Sequence, residues 1–200
     1  MCIRDRLRTA ATKETLLQIC MQIMSHHAST RERLPILDEF YREIFSLLPP
    51  VHTILDIACG LNPLALPWML PLTEEIAYYA YDIHHHMIDF LSAWLQLSHV
   101  QGHAHVCDVI HSCPTQRADV AFLLKALPCL QHIDAQLSAQ LLHTLDVHHL
   151  VVSFPVSSLG GRRKGMIEHY ETHFRELVAY EKWEITKLEF RTELVFVVKK

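Results

Sequence analysis

The stretch ILDIACGLNP, residues 54–63, begins as an apolar run and ends on small residues followed by a proline. Such a run is typical of a buried strand, and the small residues after it let a ligand approach bare backbone. Carboxylates mark this strand and the next two predicted strands: Asp56, Asp82 and Asp108. Ligands of parallel sheets bind at the carboxyl ends of the strands, so we expect a binding site there.

Asp82 follows Gly60 by 22 residues and ends the second predicted strand. An ionised carboxylate accepts two donors at once, so it can hold both hydroxyls of a ribose. The alternative is that Asp82 only caps the following helix. The turn at Gly60 lacks the GxGxxG pattern that binds a dinucleotide pyrophosphate. A nucleoside without phosphates fits better, and S-adenosylmethionine is the common one.

Two further residues extend this hypothesis toward the two ends of such a nucleoside. Asp108 can accept a hydrogen bond from the adenine amino group, and a turn cap is the equally good alternative. Arg33 precedes the first strand and can pair its planar guanidinium with the methionine carboxylate. Taken alone, Arg33 is more typical of an ordinary surface arginine. The agreement of three strand ends favours the joint interpretation.

A basic loop, SSLGGRRKG at residues 157–165, follows the fifth predicted strand and therefore lies at the same edge. Its cations Arg162, Arg163 and Lys164 stand between glycines and can follow a phosphate backbone; the alternative is a solvated flexible loop. The histidines at 84–86 and 148–149 do not predict a metal site, because adjacent side chains point apart. Nothing in the sequence supports a hydrolase, since there is no nucleophile elbow or Walker loop.

Five short apolar runs alternate with helical segments, a pattern typical of a parallel sheet with right-handed crossovers. The predicted strands are 53–57, 76–81, 103–107, 120–124 and 150–154, and two closing runs, 183–190 and 193–198, predict an antiparallel hairpin. The predicted helices lie at about 12–24, 30–48, 64–70, 86–97, 135–145 and 166–178. Ser29 or Thr30 is the predicted cap of the second helix. The fold class is therefore α/β, with a mostly parallel seven-stranded sheet.

Composition limits the remaining possibilities. The 200 residues are half hydrophobic, which suits one domain with a sizeable core. The formal net charge of −4 excludes a global basic field, so RNA contacts must be local. The six cysteines form no CxxC pair and mostly lie in apolar runs, which predicts reduced, buried thiols. With no predicted membrane span or signal peptide, we expect a cytoplasmic monomer.

Several motifs together resemble the aminoglycoside-resistance 16S ribosomal RNA methyltransferases that modify a guanine at N7. The motifs are HASTRERL (27–34), LDIACGLNPLAL (55–66), DIH (82–84), SFP (153–155) and SLGGR (158–162). The resemblance implies a class I, Rossmann-like methyltransferase fold that uses S-adenosylmethionine. It also implies a target in the decoding region of 16S ribosomal RNA, on the 30S subunit, where the added methyl group disturbs aminoglycoside binding.

The same resemblance assigns roles to individual residues. It implies that the methionine end is held by His27, Ala28, Ser29 and Arg33, above a turn formed by Ala58 and Gly60. It implies that Asp82 holds the ribose, and that Asp108 and Val109 hold the adenine. Leu124 and Lys125 are expected to line the pocket near the reacting centre.

The expected chemistry needs no general base, because guanine N7 carries a free lone pair at neutral pH. Positioning guanine N7 against the methyl group suffices for the transfer. Enzymes that methylate exocyclic amines commonly carry Asn/Asp-Pro-Pro-aromatic after the fourth strand, where this chain has KALP at 125–128. That difference favours a ring nitrogen, with Lys125 as a positioning residue.

The chain also departs from the family pattern. The family extends further before the His27 motif, so we expect an N-terminally shortened RNA-docking region at 1–50 and a methyltransferase domain at 51–200. Ser157 and Arg163 replace residues that the family prefers in the basic loop. The alternatives are a methyltransferase for another RNA or a small molecule, and an inactive cofactor-binding fragment.

Overall fold

The computed structural model describes residues 7, 12–73, 75–156 and 165–200. A seven-stranded sheet runs through them in the order β3-β2-β1-β4-β5-β7-β6. Strands β1 to β5 run parallel, and β7 is antiparallel to both β5 and β6, which confirms the predicted sheet and its closing hairpin. The strands are β1 (Thr53–Ile57), β2 (Ala77–Asp82), β3 (Gln101–Val106), β4 (Ala118–Leu124), β5 (Val147–Pro155), β6 (Glu184–Glu189) and β7 (Glu193–Lys199).

Helices connect these strands and cover both faces of the sheet. Among the described residues they are α1 (Lys13–Met24), α2 (Ala28–Arg33), α3 (Leu37–Leu47), α4 (Leu66–Met69), α5 (His85–Leu97), α6 (Leu127–Ile133), α7 (Ala135–Thr144) and α8 (Met166–Leu177). None of them is long and apolar enough to cross a membrane. Because β1 and β4 are neighbours, strand order reverses between them, and this is the point where sheets of this kind bind ligands.

Two hydrophobic cores lie on opposite faces of the sheet, because side chains alternate along each strand. Ile54 and Phe122 belong to the core that also contains buried residues of α1, α3 and α5. Leu55 and Leu123 belong to the other, with residues of α6, α7 and α8. A strand that is buried on both faces has a continuous apolar sequence, and this pattern allowed such strands to be predicted.

The predicted helix over 30–48 is wrong as one element. Pro35 divides it into α2, a 3-10 turn at Leu34–Ile36, and α3, because proline cannot donate the backbone hydrogen bond that a continuous helix requires. The predicted cap is also wrong, since His27 occupies the N-cap position of α2. The Thr30 hydroxyl is buried instead and donates to the Met24 carbonyl at 2.6 Å.

The predicted helix over 64–70 is likewise broken, here by three prolines spaced four residues apart. Pro63, Pro67 and Pro71 each stand near the start of a short helical piece, at Asn62–Ala65, α4 and Leu70–Leu72. This position suits proline, whose missing N–H has no intrahelical partner there. The connection from β1 to β2 is therefore a chain of single turns.

The cysteines of the described residues are free thiols, but their burial varies. Cys20 and Cys59 are buried, whereas Cys129 is exposed. Cys107 and Cys113 are half-buried. The prediction of buried thiols was therefore wrong for Cys129, which lies on the short helix α6 that the sequence did not predict.

Candidate functional site

The strands on either side of the switch point both end on a non-glycine residue in left-handed conformation. Ala58 follows β1 with φ 51°, and Lys125 follows β4 with φ 57°. Each such residue costs roughly 1–2 kcal/mol relative to ordinary backbone. Backbone of this kind concentrates at functional sites, where the surrounding structure enforces it. The two turns therefore define the candidate site.

Gly60 completes the turn after β1, with φ 53°. A Cβ added at Gly60 would lie 2.9 Å from Cε1 of His27, so the absent side chain makes room for the imidazole. The sequence had assigned this small residue to the close approach of a ligand. Within the protein, His27 already uses the space. Burial lowers the pKa of His27, although the nearby Asp82 carboxylate opposes the shift.

Asp82 links this turn to the end of β2. Its Oδ2 accepts a hydrogen bond from the Gly60 backbone N–H at 3.0 Å, and its Oδ1 accepts one from the His84 N–H at 3.1 Å. The same Oδ1 lies 2.7 Å from Nδ1 of His84. Asp82 does not cap α5, because His84 occupies that N-cap position. A lone pair on Oδ2 remains for a further donor, and the exposed His84 ring can leave its place on Oδ1 to a second one.

Asp108 lies beyond the end of β3 and is more than half exposed. Its carboxylate lies 2.9 Å from Nδ1 of His111 and accepts a hydrogen bond from the Ile110 N–H at 3.1 Å. The His111 side chain and the backbone N–H groups of Ile110 and His111, which all contact this carboxylate, hold the pKa of Asp108 below its ordinary value. The turn-cap alternative is thus observed, and the adenine contact stays a prediction. Val109, next along the chain, is buried.

Arg33 is buried, so the interpretation as an ordinary surface arginine was wrong. Its Nη2 donates to Oε1 of Glu193 at 2.7 Å, and its Nε donates to Oε2 at 3.1 Å. Nη1 donates to Oδ1 of Asn62 at 2.8 Å, while the guanidinium stands 4.8 Å from the centre of the Phe40 ring. Within the described parts of the chain, these bonds engage three of its five N–H groups.

Glu193, at the start of β7, has no solvent exposure and joins two cations. Besides Arg33, its carboxylate accepts a hydrogen bond from the Ser153 hydroxyl at 2.5 Å and lies 3.4 Å from Nζ of Lys125. Lys125 Nζ also donates to Oε2 of Glu32 on α2, at 2.7 Å. We name Arg33, Glu193, Ser153, Lys125 and Glu32 the buried charge cluster. It ties α2 to the ends of β4, β5 and β7.

The sequence did not predict Glu32, Ser153 or Glu193 as part of the site. One signal was available, because Glu193 opens the otherwise apolar run ELVFVV and a buried carboxylate needs a partner. Leu124, the last residue of β4, is buried directly before Lys125.

Asp56 lies inside β1 and faces the protein interior, so it is not a strand-end group like Asp82. Its Oδ2 accepts hydrogen bonds from the Tyr78 hydroxyl at 2.5 Å and from Nδ2 of Asn62 at 3.0 Å. Its Oδ1 is buried without a hydrogen-bond partner among the described residues. Burial raises the pKa of Asp56 to about 7. Asn62 connects this carboxyl to Arg33 and thereby to the buried charge cluster.

The predicted methionine-end residues lie together on one short segment. His27 is the N-cap of α2, Ala28 and Ser29 open the helix, and Arg33 ends it. Ser29 Oγ lies 3.0 Å from Nδ1 of His27, which packs on Gly60. The basic residues expected to bind RNA, Arg162, Arg163 and Lys164, lie outside the described residues.

The chain is similar to the proteins of one family. The family described as "Ribosomal RNA methyltransferase (FmrO)" matches residues 5–197. The chain is 40% identical, over 98% of its length and 71% of the relative's, to a 16S rRNA (guanine(1405)-N(7))-methyltransferase of Micromonospora rosea. It is 39% identical, with the same coverage, to the enzyme of that name from Micromonospora echinospora. The crystal structure of the 16S rRNA methyltransferase RmtF with S-adenosyl-L-homocysteine superposes with a TM-score of 0.83, at 31% identity, over 99% of this chain and 75% of RmtF.

Proposed function

Because the chain belongs to the ribosomal RNA methyltransferase (FmrO) family, we propose that it transfers a methyl group from S-adenosylmethionine to N7 of a guanine in 16S ribosomal RNA. The family match, which spans nearly the whole chain, carries this proposal. The target guanine lies in the decoding region of the 30S subunit, so the methyl group and its positive charge weaken aminoglycoside binding. The reaction takes place in the cytoplasm, and the enzyme acts as a monomer.

The residues at the switch point fit the cofactor. Arg33 retains an N–H on each terminal nitrogen beyond those bound within the described residues, and these suit the methionine carboxylate. His27, Ala28 and Ser29 lie beside it, over the Ala58 and Gly60 turn. We assign the ribose to Asp82, the adenine to Asp108 and Val109, and a wall of the pocket to Leu124. The bound cofactor supplies an electrophilic methyl group.

The protein's own contribution is positioning. Guanine N7 presents a lone pair, so no side chain has to remove a proton before the methyl group is transferred. Lys125 is the residue we place nearest the base, because its left-handed backbone turns it away from β4 at the switch point. Its ammonium is already oriented by Glu32 and Glu193. We assign Lys125 to holding the base, with no role in proton transfer.

Docking on the RNA is assigned to two other parts of the chain. Arg162, Arg163 and Lys164 bind the phosphate backbone. The helical segment at 1–50 contributes a second docking surface, whereas 51–200 form the methyltransferase domain. Among the described residues, α1 and α3 of that segment pack into the same core as β1 and β4.

Incubating the purified chain with 30S subunits and labelled S-adenosylmethionine tests the proposal. We expect label at N7 of one guanine in the decoding region, and growth on gentamicin and kanamycin of bacteria that express the chain. Label on another RNA or on a small molecule supports the first alternative. Cofactor binding without RNA labelling supports the second, an inactive cofactor-binding fragment, and contradicts the proposed activity for this chain.

A further inference from the structure

We propose that Glu193 is a positioning residue, which holds the Arg33 guanidinium in the orientation that binds the amino-acid end of the cofactor. The inference rests on the proposed function, because it takes Arg33 as the partner of the methionine carboxylate. Glu193 itself contacts neither cofactor nor RNA in this scheme.

The carboxylate of Glu193 is fixed from several sides. It accepts bonds from Arg33 Nη2 and Nε, and the Ser153 hydroxyl donates to its Oε1. Lys125 Nζ lies 3.4 Å from its other oxygen. Because Glu193 has no solvent exposure, no water can replace these partners. A side chain bound in this way has a single orientation available.

This fixed carboxylate determines the orientation of Arg33. The paired contacts from Nε and Nη2 hold the plane of the guanidinium, as in two-point arginine–carboxylate pairs. Asn62 and the Phe40 ring complete its surroundings. The N–H groups that remain on Nη1 and Nη2 are therefore presented in one direction. A flexible arginine would have to lose its rotational freedom on binding, and this one has lost it beforehand.

When the charge of Glu193 is removed, the change in net charge and the loss of the Arg33 orientation are expected to change the ligand affinity in opposite directions. The buried charge cluster contains two cations, Arg33 and Lys125, and two carboxylates, Glu193 and Glu32. Neutralising Glu193 leaves the cluster with an excess positive charge, which by itself would tighten the binding of a carboxylate ligand. Loss of the guanidinium orientation weakens that binding instead. The sign of the change therefore separates the two effects.

The test uses Glu193→Gln, two ligands and isothermal titration calorimetry. S-Adenosylhomocysteine carries the amino-acid end, whereas 5′-methylthioadenosine has the same nucleoside without it. We expect the affinity for S-adenosylhomocysteine to fall about 10- to 100-fold, the scale of one charge-assisted hydrogen bond. The affinity for methylthioadenosine should change by less than about 2-fold. The matched control is Glu184→Gln, which removes an exposed glutamate–lysine pair from the same hairpin and should change neither affinity.

Two outcomes overturn the proposal: tighter binding of S-adenosylhomocysteine by Glu193→Gln, or an equal loss for both ligands. If the unmodified protein itself does not prefer S-adenosylhomocysteine over methylthioadenosine, the assignment of Arg33 to the methionine carboxylate fails as well. If Glu193→Gln does not fold, Ser153→Ala replaces it. That variant removes the hydroxyl that donates to Glu193 and accepts from the Lys125 N–H, and this N–H keeps its bond to the Ser153 carbonyl. Ser153→Ala should lower the affinity for S-adenosylhomocysteine about 3- to 10-fold and leave the affinity for methylthioadenosine unchanged. An unchanged ratio of the two affinities refutes the proposal.

Discussion

Replacing Asp82 with asparagine tests the ribose assignment with little disturbance of the fold. The carboxylate oxygens accept hydrogen bonds from the Gly60 and His84 N–H groups. The single amide oxygen of asparagine can keep the bond to the buried Gly60 N–H, while His84, which is exposed, can turn its own N–H toward water. We therefore expect the free energy of unfolding to fall by about 1 kcal/mol or less.

The loss of ligand affinity should be larger. A ribose would donate two hydroxyl groups to a nearly buried carboxylate, and hydrogen bonds to a charged group contribute about 1.5–3 kcal/mol each. Asparagine retains an acceptor for at most one of them, so Asp82→Asn should weaken S-adenosylhomocysteine by about 10- to 150-fold. Calorimetric titration measures the affinity, and urea denaturation measures the stability.

The matched control is Asp89→Asn, which changes an exposed aspartate on α5 and should leave both quantities unchanged. An unchanged affinity in Asp82→Asn, with normal stability, would refute the ribose assignment. Asp82 would then serve only to fix the Gly60 turn against β2.

Two more predictions concern the basic loop and the buried carboxyl group. The double variant Arg162→Gln/Lys164→Gln should keep its cofactor affinity but show less RNA methylation and a weaker salt dependence of methylation. Methylation of 30S subunits between low and physiological salt measures both. An equal loss of cofactor affinity would mean that the loop is structural. Because burial raises the folded-state pKa of Asp56 to about 7, its contribution to stability is full below about pH 4 and is lost as pH rises through 7. The unfolding free energy of the unmodified protein, relative to Asp56→Asn, should therefore decline between pH 5 and 8 in urea titrations, and parallel curves would contradict the shift.

The central strands β1, β4 and β5 were predictable because they are buried on both faces and form short apolar runs in the sequence, whereas the edge strands β3 and β6 are mostly exposed. The edge at which Asp82, Asp108 and Lys125 lie followed from the same pattern, since parallel strands all end on one side. The helix breaks occur at Pro35, Pro63, Pro67 and Pro71, where the missing backbone donor outweighs the helical spacing of the apolar residues.

The inner part of the site was not predictable from local pattern. Arg33 and Glu193 are separated by 160 residues, and nothing near either residue specifies the other as its partner. The left-handed conformation of Ala58 and Lys125 was not predicted either, because in a sequence that conformation is indicated mainly by glycine. The resemblance to a known family suggested Arg33 as a ligand residue, but it did not point to Glu193, the buried carboxylate that Arg33 contacts.

The Arg33–Glu193 pair also fixes when the site can form during synthesis. At about 5–20 residues per second, Arg33 is synthesised roughly 10 to 30 s before Glu193. Until Glu193 is present, the Arg33 guanidinium lacks its buried ion-pair partner, and β7 cannot insert between β5 and β6. The ordered guanidinium, and with it the affinity we propose for the amino-acid end of the cofactor, is therefore acquired only after β7 has paired with β5.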